Sequence, residues 1–360
     1  MGSTGWSTSA GPGVDRRRRG RSDVAGIAVL GACAIWTLIS ATARAGRPEG
    51  VLLAVLAVAA GYAGGRIAGG LAPVATCGAV AAGGLALAVA SPQTVPVPDS
   101  SAPLGGAGAT AALLVLSTGA LCCAAWSART RRPRITLHLL SAGTVVVGVL
   151  AGSAAGAAAS CAVALCSLAS ARRRRRARAL AGLGVGTAVV AGLGLALADG
   201  ALPPGWASFL TDGLSERRVR LWRRALELAE AHPALGTGPG RFEDVNGVPA
   251  PSEVPDARPH SAVLQTAAEQ GFVGLALLTA AYGWLLYVLW RSTRPTPVVL
   301  TAGAALTAVA VLATLGNALS FTAVTAGAGL LAGIATAVPL GDDGAPAPAR
   351  PGEGSPGKPS

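Results

Sequence analysis

The run ITLHLLSAGTVVVGVLAGSAAGAAASCAVALCSLASA, residues 135–171, lies between RRPR (131–134) and RRRRRAR (172–178). It holds 37 consecutive residues without Asp, Glu, Lys or Arg. One helix of that length, at about 1.5 Å per residue, would reach nearly twice the ~30 Å hydrocarbon core of a bilayer. The run therefore reads as two membrane spans that turn back at Gly152-Ser153.

The rest of the chain repeats the pattern. Of the 360 residues, 51% are hydrophobic and only 13% charged, where a soluble domain carries about 25% charged residues; the mean hydropathy is +0.53. Ten apolar runs are expected to span, at 24–43, 50–65, 67–90, 107–126, 135–151, 155–171, 179–198, 268–290, 298–316 and 318–338. The expected fold class is all-α, a polytopic transmembrane helical bundle. The net charge of +12 would point to nucleic acid in a soluble chain. Here it reads as positive-inside loops, because the arginines cluster between the apolar runs, and no nucleic-acid partner is expected. The first run, after RRRRGR, resembles a signal peptide but is long for one and precedes many spans, so it reads as an uncleaved span.

With the basic N-terminus inside, the inner connections carry Arg66, then Arg129, Arg131, Arg132 and Arg134, then the 172–178 block, then Arg291 and Arg294. The connection at 91–106 has no Lys or Arg and falls outside. Ten crossings put both termini in the cytoplasm. The chain divides into a disordered basic N-terminus (1–22), N-terminal spans (23–198), an extracytoplasmic loop (199–261), C-terminal spans (262–339) and a disordered tail (340–360). The six cysteines all lie in apolar runs, with no CxxC pair and no neighbouring histidine. Neither disulfides nor a metal site is expected.

The 199–261 loop is the only long hydrophilic connection. It holds Arg217, Arg218, Arg220, Arg223, Arg224, Arg241 and Arg258 against the positive-inside trend. Within it, SERRVRLWRRALELAEA (215–231) reads as an amphipathic helix. Val219, Leu221, Trp222, Ala225, Leu226, Leu228 and Ala229 share its apolar face. Arg223 and Arg224 stand four and three residues before Glu227 and read as a salt-bridged outer face. Arg218 interrupts the apolar face one turn before Trp222. Two readings fit it: a cation snorkelling to lipid headgroups, or one held to bind a phosphate through its planar fork.

The helix stops at His232-Pro233 and leads into ALGTGPGRF, where Gly236, Gly238 and Gly240 alternate before Phe242. No strand precedes them, so this is a tight turn and not a dinucleotide fingerprint. Then comes RPHSAVLQTAAEQGFVGLALL (258–278), which places Pro259-His260-Ser261 at a helix start with Ser261 as N-cap. On a continuous helix His260 shares a face with Leu264, Ala267, Gly271 and Gly274, and small residues there allow close helix packing. Glu269 lies on the opposite side at membrane depth, where an ionisable residue is a functional candidate. His260 is either an interfacial helix-start residue or a general base, its ordinary pKa of about 6.5 suiting proton transfer at neutral pH.

Arg218-Val-Arg-Leu-Trp222, then HPALGTGPGRF, then PHSAVLQTAAEQGFVGL together resemble the O-antigen ligase and polymerase family of bacterial membrane glycosyltransferases. That family typically has an Arg before "LW", an "hPl-G-x-G-x-G-x-F" loop and an "HN-x-x-Lq-x-x-aE-x-G-x-x-G" helix start. The match runs in order over 218–274. The resemblance implies a metal- and cofactor-independent enzyme at the outer face of the plasma membrane, in cell-envelope polysaccharide biosynthesis. It would move a glycan from a polyprenyl-pyrophosphate carrier to a hydroxyl on a glycan, lipid or protein. Arg218 would hold the pyrophosphate and His260 would act as base, with Arg217, Arg241, Arg258, Trp222 and Glu269 binding substrate and Gly236, Gly238, Gly240, Phe242 and Gly271 forming the structural motif.

Two positions depart from the family pattern. His260 is followed by Ser261 where the family has Asn, and the Ser-Arg-Gly of many members is replaced by Ser153-Ala154-Ala155-Gly156, without the cation. Arg217, Arg241 or Arg258 could replace that cation. Two other readings stand beside the enzyme. An inactive relative that only binds lipid-linked glycan would explain the lost arginine. A transporter or flippase of an amphiphilic anion would need inverted repeats and ionisable residues in several spans, and the spans hold almost none.

Overall fold

The computed structural model describes residues 12–90, 108–172, 175–201, 216–246 and 259–338. Every long element among them is helical. In chain order these are α1 (Pro12–Arg44), α2 (Glu49–Leu71), α3 (Pro73–Ala90), α4 (Gly108–Ser127), α5 (Arg131–Leu150), α6 (Ala154–Ser170) and α7 (Arg176–Asp199). Then follow α8 (Glu216–Ala231), a single turn at Phe242–Val245, α9 (Ala262–Arg291), α10 (Thr296–Leu315) and α11 (Thr322–Thr336). Eight of these helices are long and apolar enough to cross a membrane, and α6 and α11 are shorter apolar helices. The protein is a polytopic helical membrane protein.

The apolar windows of α4 and α10 are 89% and 78% buried, against 22% or less for the other spans. These two helices are the centre, and the rest surround them. Outer helices present large aliphatic side chains outward, such as Leu139, Leu150 and Val185, which suits a lipid solvent. Small hydroxyls join the helices where apolar side chains have no preference for one another over lipid. Trp126 Nε1 and Thr301 Oγ1 each donate to Ser167 Oγ at 2.9 Å, which ties α4, α6 and α10 together. The Thr118 and Thr144 hydroxyls meet at 2.6 Å between α4 and α5.

The closest helix pair is α2 with α11. Gly61, Gly65 and Gly69 form a stripe on α2 that faces Gly329 and Gly333 on α11. A methyl added at Gly65 would lie 2.2 Å from the Leu330 carbonyl oxygen, whereas at Gly64 its nearest neighbour would be 4.0 Å away. Gly65→Ala should therefore lower the thermal stability of the purified protein. Gly64→Ala should leave it unchanged or raise it, since Ala is favoured over Gly in a helix by about 1 kcal/mol. Equal melting shifts for the two variants would remove this account of the pair.

The expected turn at Gly152-Ser153 is present. Gly152 has φ 68, and the Ser153 hydroxyl caps α6 by accepting from Gly156 N at 3.3 Å. Three expectations need correction. The break between the second and third spans falls at Ala72-Pro73, not at Arg66; Arg is a good helix former, whereas proline lacks the N–H and ends a helix. Arg66 is not in a connection at all: it lies inside α2 and pairs with Asp23 of α1 at 2.5 Å. α1 begins at Pro12, so residues 12–22 are helical and not disordered. The third correction is that α9, which starts at Ala262 after the expected Ser261 cap, is not continuous but broken within at Gly271 (φ 69, ψ −173).

One end of the bundle gathers Asp23, Arg66, Arg291 and Thr336, and buried Arg294 donates there to the Gly69 and Ala337 carbonyls. The opposite end gathers residues 44–47 with 238–244 and 268–272. That second end holds the candidate site.

Candidate active site

α8 is amphipathic as its sequence implies. Leu221, Trp222, Ala225, Leu228 and Ala229 are buried, and they pack with Leu197, Ala198, Phe242, Leu264 and Ala268 in a satellite core against α7 and α9. On its outer face Arg224 pairs with Glu227 at 3.0 Å and Arg220 with Glu216 at 3.7 Å. Arg218 is only 7% exposed, so it does not snorkel to the surface. Burial lowers its pKa from the ordinary arginine value, yet a guanidinium stays cationic at neutral pH. Arg217 has Nε and Nη2 buried without a hydrogen-bond partner among the described residues. Arg258 lies outside the described residues.

The alternating glycines do more than turn the chain. The break at Gly271 removes helical partners from several backbone groups of α9, and each of these groups is satisfied from elsewhere. Phe272 N donates to the Pro233 carbonyl at 2.8 Å. The Ala268 carbonyl accepts from Thr237 N at 2.9 Å and from its hydroxyl at 3.1 Å. The Glu269 carbonyl accepts from Gly238 N at 2.9 Å, and the Gln270 carbonyl accepts from Trp36 Nε1 at 3.1 Å. Loop and broken helix form one unit. In its left-handed conformation Gly271 leaves no room for a side chain: a Cβ there would lie 2.3 Å from the Ala234 carbonyl oxygen. Gly236, at φ 65, would set a Cβ 2.4 Å from the Glu269 carbonyl carbon. Gly271→Ala should cost about 2 kcal/mol or more from left-handed strain and steric overlap together. Limited proteolysis of the purified protein should then cut within 232–246 much faster; unchanged cleavage would mean that the loop is held by other contacts.

Glu269 is 5% exposed. Its carboxylate accepts from Gly240 N at 2.9 Å and from Gln265 Nε2 at 3.3 Å, so it ties loop to helix. Arg241 extends the tie to α1 by donating from Nη1 to the Arg44 carbonyl at 2.6 Å. The α1–α2 connection reinforces it: Arg47 N donates to the Pro239 carbonyl at 2.7 Å, and its guanidinium pairs with Asp244 at 2.7 Å. Phe242 is fully buried beneath. Arg44 and Arg47 belong to this site although nothing in the local sequence marks them, since their partners lie nearly 200 residues away.

His260 holds a backbone conformation unusual for a side-chain-bearing residue, with φ 45, a left-handed geometry in which histidine is enriched. It is pinned on both sides. The Pro259 carbonyl accepts from Trp222 Nε1 at 2.6 Å, and the Ser261 hydroxyl caps α9 by accepting from Leu264 N at 3.4 Å. Trp222 thus bridges the helix of Arg218 to the residue beside His260. Because α9 breaks at Gly271, the continuous face running from His260 through Gly271 and Gly274 does not exist. Gly271 meets the glycine loop, and a Cβ at Gly274 would meet Gln270. These ties fall into two groups: Trp222 joins the helix of Arg217 and Arg218 to Pro259, beside His260, and the loop glycines, Glu269 and Arg241 join α9 to α1.

A cavity of about 610 Å³ runs between α1, α2, α7, α9 and α10. Its walls within the bundle are apolar, with Leu30, Val58, Leu278, Leu285 and Leu306 among them. Its polar end meets Arg47, Glu49, Gln265, Glu269 and Asn317. Ala262 and Val263, which follow His260 and Ser261 in the chain, line it. Among the described residues no three His, Cys, Asp or Glu side chains group as metal ligands would.

The described residues thus form a helical membrane bundle whose cavity reaches a loop locked to a broken helix. Residues 139–279 match the family model described as O-antigen ligase, so this part of the chain is similar to the domain of that family. The matched segment contains the turn at Ser153 and every candidate residue from Arg217 to Gly271. No curated protein matches the chain at a significant level.

Proposed function

We propose that the protein transfers a glycan from a polyprenyl-pyrophosphate carrier to a hydroxyl of an acceptor glycan, lipid or protein, on the outer face of the plasma membrane. The observation that carries this reading is the cavity, apolar among the spans and polar at the end lined by Arg47, Glu49, Gln265 and Glu269, where Ala262 and Val263 of the helix that begins just after His260 also line it. A polyprenyl chain suits the apolar part, and its pyrophosphate and sugars suit the polar end.

In this reading His260 takes the proton from the acceptor hydroxyl as its oxygen bonds to the anomeric carbon. The bond from that carbon to the diphosphate oxygen breaks, and polyprenyl pyrophosphate leaves with the electron pair. Arg218, with Arg217 and Arg258 beside it in the chain or the loop, offsets the leaving group's charge. Diphosphate so neutralised is already a good leaving group, so the reaction needs no metal. Trp222 positions His260 through Pro259. Trp222→Phe keeps the ring and loses the N–H; it should lower kcat several-fold with KM nearly unchanged. A change in KM alone would give the indole a role in binding instead.

The transporter reading gains one feature, the broken helix at Gly271. In transporters such breaks leave backbone groups to coordinate ions. Here the carbonyls of Ala268, Glu269 and Gln270 are taken by Thr237, Gly238 and Trp36, which favours a structural break.

Orientation is tested in a cysteine-free background. A cysteine placed in 199–258 should react with a membrane-impermeant thiol reagent on intact cells, and one in 172–178 should not. Labelling only at 172–178 would invert the topology and remove the outer-face assignment.

A further inference from the structure

A second cavity lies at the other end of α1, about 30 Å from Arg44 at helical rise. Its volume is about 290 Å³, and its lining includes Asp23, Tyr62, Arg66, Trp290, Arg291 and Thr336. The catalytic reading uses none of these residues. Two arginines face one carboxylate, and Arg66 engages Asp23 through Nη1 alone, at 2.5 and 2.6 Å. Arg66 lies over the ring of Tyr62 at 5.8 Å and Arg291 over that of Tyr287 at 5.9 Å. Stacking covers the face of a guanidinium and leaves its in-plane N–H groups for a ligand, the arrangement that suits phosphate oxygens.

We propose that this cavity binds the phosphodiester headgroup of an anionic membrane phospholipid. The volume is at the low end for small-molecule pockets, about 300–1,000 Å³, so it suits a headgroup and not a whole lipid. The acyl chains have an apolar surface to follow: Val24 and Ile27, just beyond Asp23 on α1, are 65% and 74% exposed. Trp290 at the rim is 48% exposed, as befits an aromatic side chain at the membrane–water boundary. The run RRRRGR directly precedes Ser22 in α1, so the surrounding field attracts the same charge. Basic pockets between spans bind anionic headgroups by this combination.

The test is native mass spectrometry of the purified full chain with phosphatidylglycerol or phosphatidylcholine of the same acyl chains. One phosphatidylglycerol should be retained per chain in preference to phosphatidylcholine. Arg291→Gln, which leaves the Asp23–Arg66 pair intact, should weaken that retention about fivefold, the effect of one basic side chain near such a headgroup. Arg66→Gln with Arg291→Gln should abolish the preference, and Arg47→Gln at the opposite end should leave it unchanged. Equal retention of the two lipids, or an unchanged preference in Arg291→Gln, would overturn the proposal. Displacement of the lipid by equimolar inorganic phosphate would make this a free-phosphate site and overturn the lipid assignment.

Discussion

Replacing His260 should lower glycan transfer by about 10²–10⁴-fold, the range a positioned general base contributes, while the protein still folds and inserts. The variant matters, because His260 sits at φ 45. His260→Asn keeps a residue that tolerates the left-handed region and removes the base, whereas His260→Ala adds backbone strain to the chemical loss. Both should accumulate undecorated acceptor and lipid-linked glycan in cells, with melting of the Asn variant near that of the parent. Normal amounts of finished glycoconjugate in His260→Asn cells would reduce the histidine to a helix-start residue.

The second large effect is expected at Arg218. A charge-assisted hydrogen bond contributes about 1.5–3 kcal/mol, so Arg218→Ala should weaken use of the pyrophosphate donor by roughly 10- to 100-fold. Arg223→Ala, on the exposed face of the same helix, should change little. Arg218→Lys should rescue poorly, because a point charge lacks the planar fork. Equal losses from all the α8 arginines would point to general attraction to anionic lipid. Donor titration of each variant, read as KM against kcat, separates these outcomes.

The two sites differ in how far their sequences announce them. The hairpin over 135–171 was legible because length, charge-free composition and flanking arginines are local properties, and the Gly152-Ser153 turn follows from them. The α8 face was legible for the same reason: its period exposes Arg218 as the one charge among apolar positions, and burial at 7% agrees. What eluded local reading are the long-range ties. Gly236, Gly238 and Gly240 read as a turn, but within it Thr237 N donates to the Ala268 carbonyl, Gly238 N to the Glu269 carbonyl and Gly240 N to the Glu269 carboxylate, some thirty residues on. A continuous helix through Gly271 followed from its apolar period; the signal against it was Glu269-Gln270-Gly271, two polar residues and a glycine inside an apolar run. Arg66 was assigned to a connection because positive charge marks loops on average, yet Asp23 lets it stay inside α2. Arg44 and Arg47 carried no local signal.

The lost Ser-Arg-Gly cation also has a structural setting. Ser153 caps α6 and is 1% exposed, and a Cβ at Gly156 would lie 2.9 Å from Ala111 Cα of α4. The turn is tightly packed by small residues. Of the residues weighed as substitutes for the cation, Arg241 is engaged by the Arg44 carbonyl, whereas Arg217 has two buried nitrogens without a partner among the described residues. Between these two, we propose Arg217 as the substitute.

The most direct measurement is transfer by the purified full chain in lipid vesicles, given polyprenyl-pyrophosphate glycan and an acceptor in the presence of a metal chelator. The account predicts that polyprenyl pyrophosphate is released in equal amount to the glycoconjugate formed, and that His260→Asn stops both together. Movement of the lipid-linked glycan across the vesicle membrane without any new glycoconjugate would contradict it.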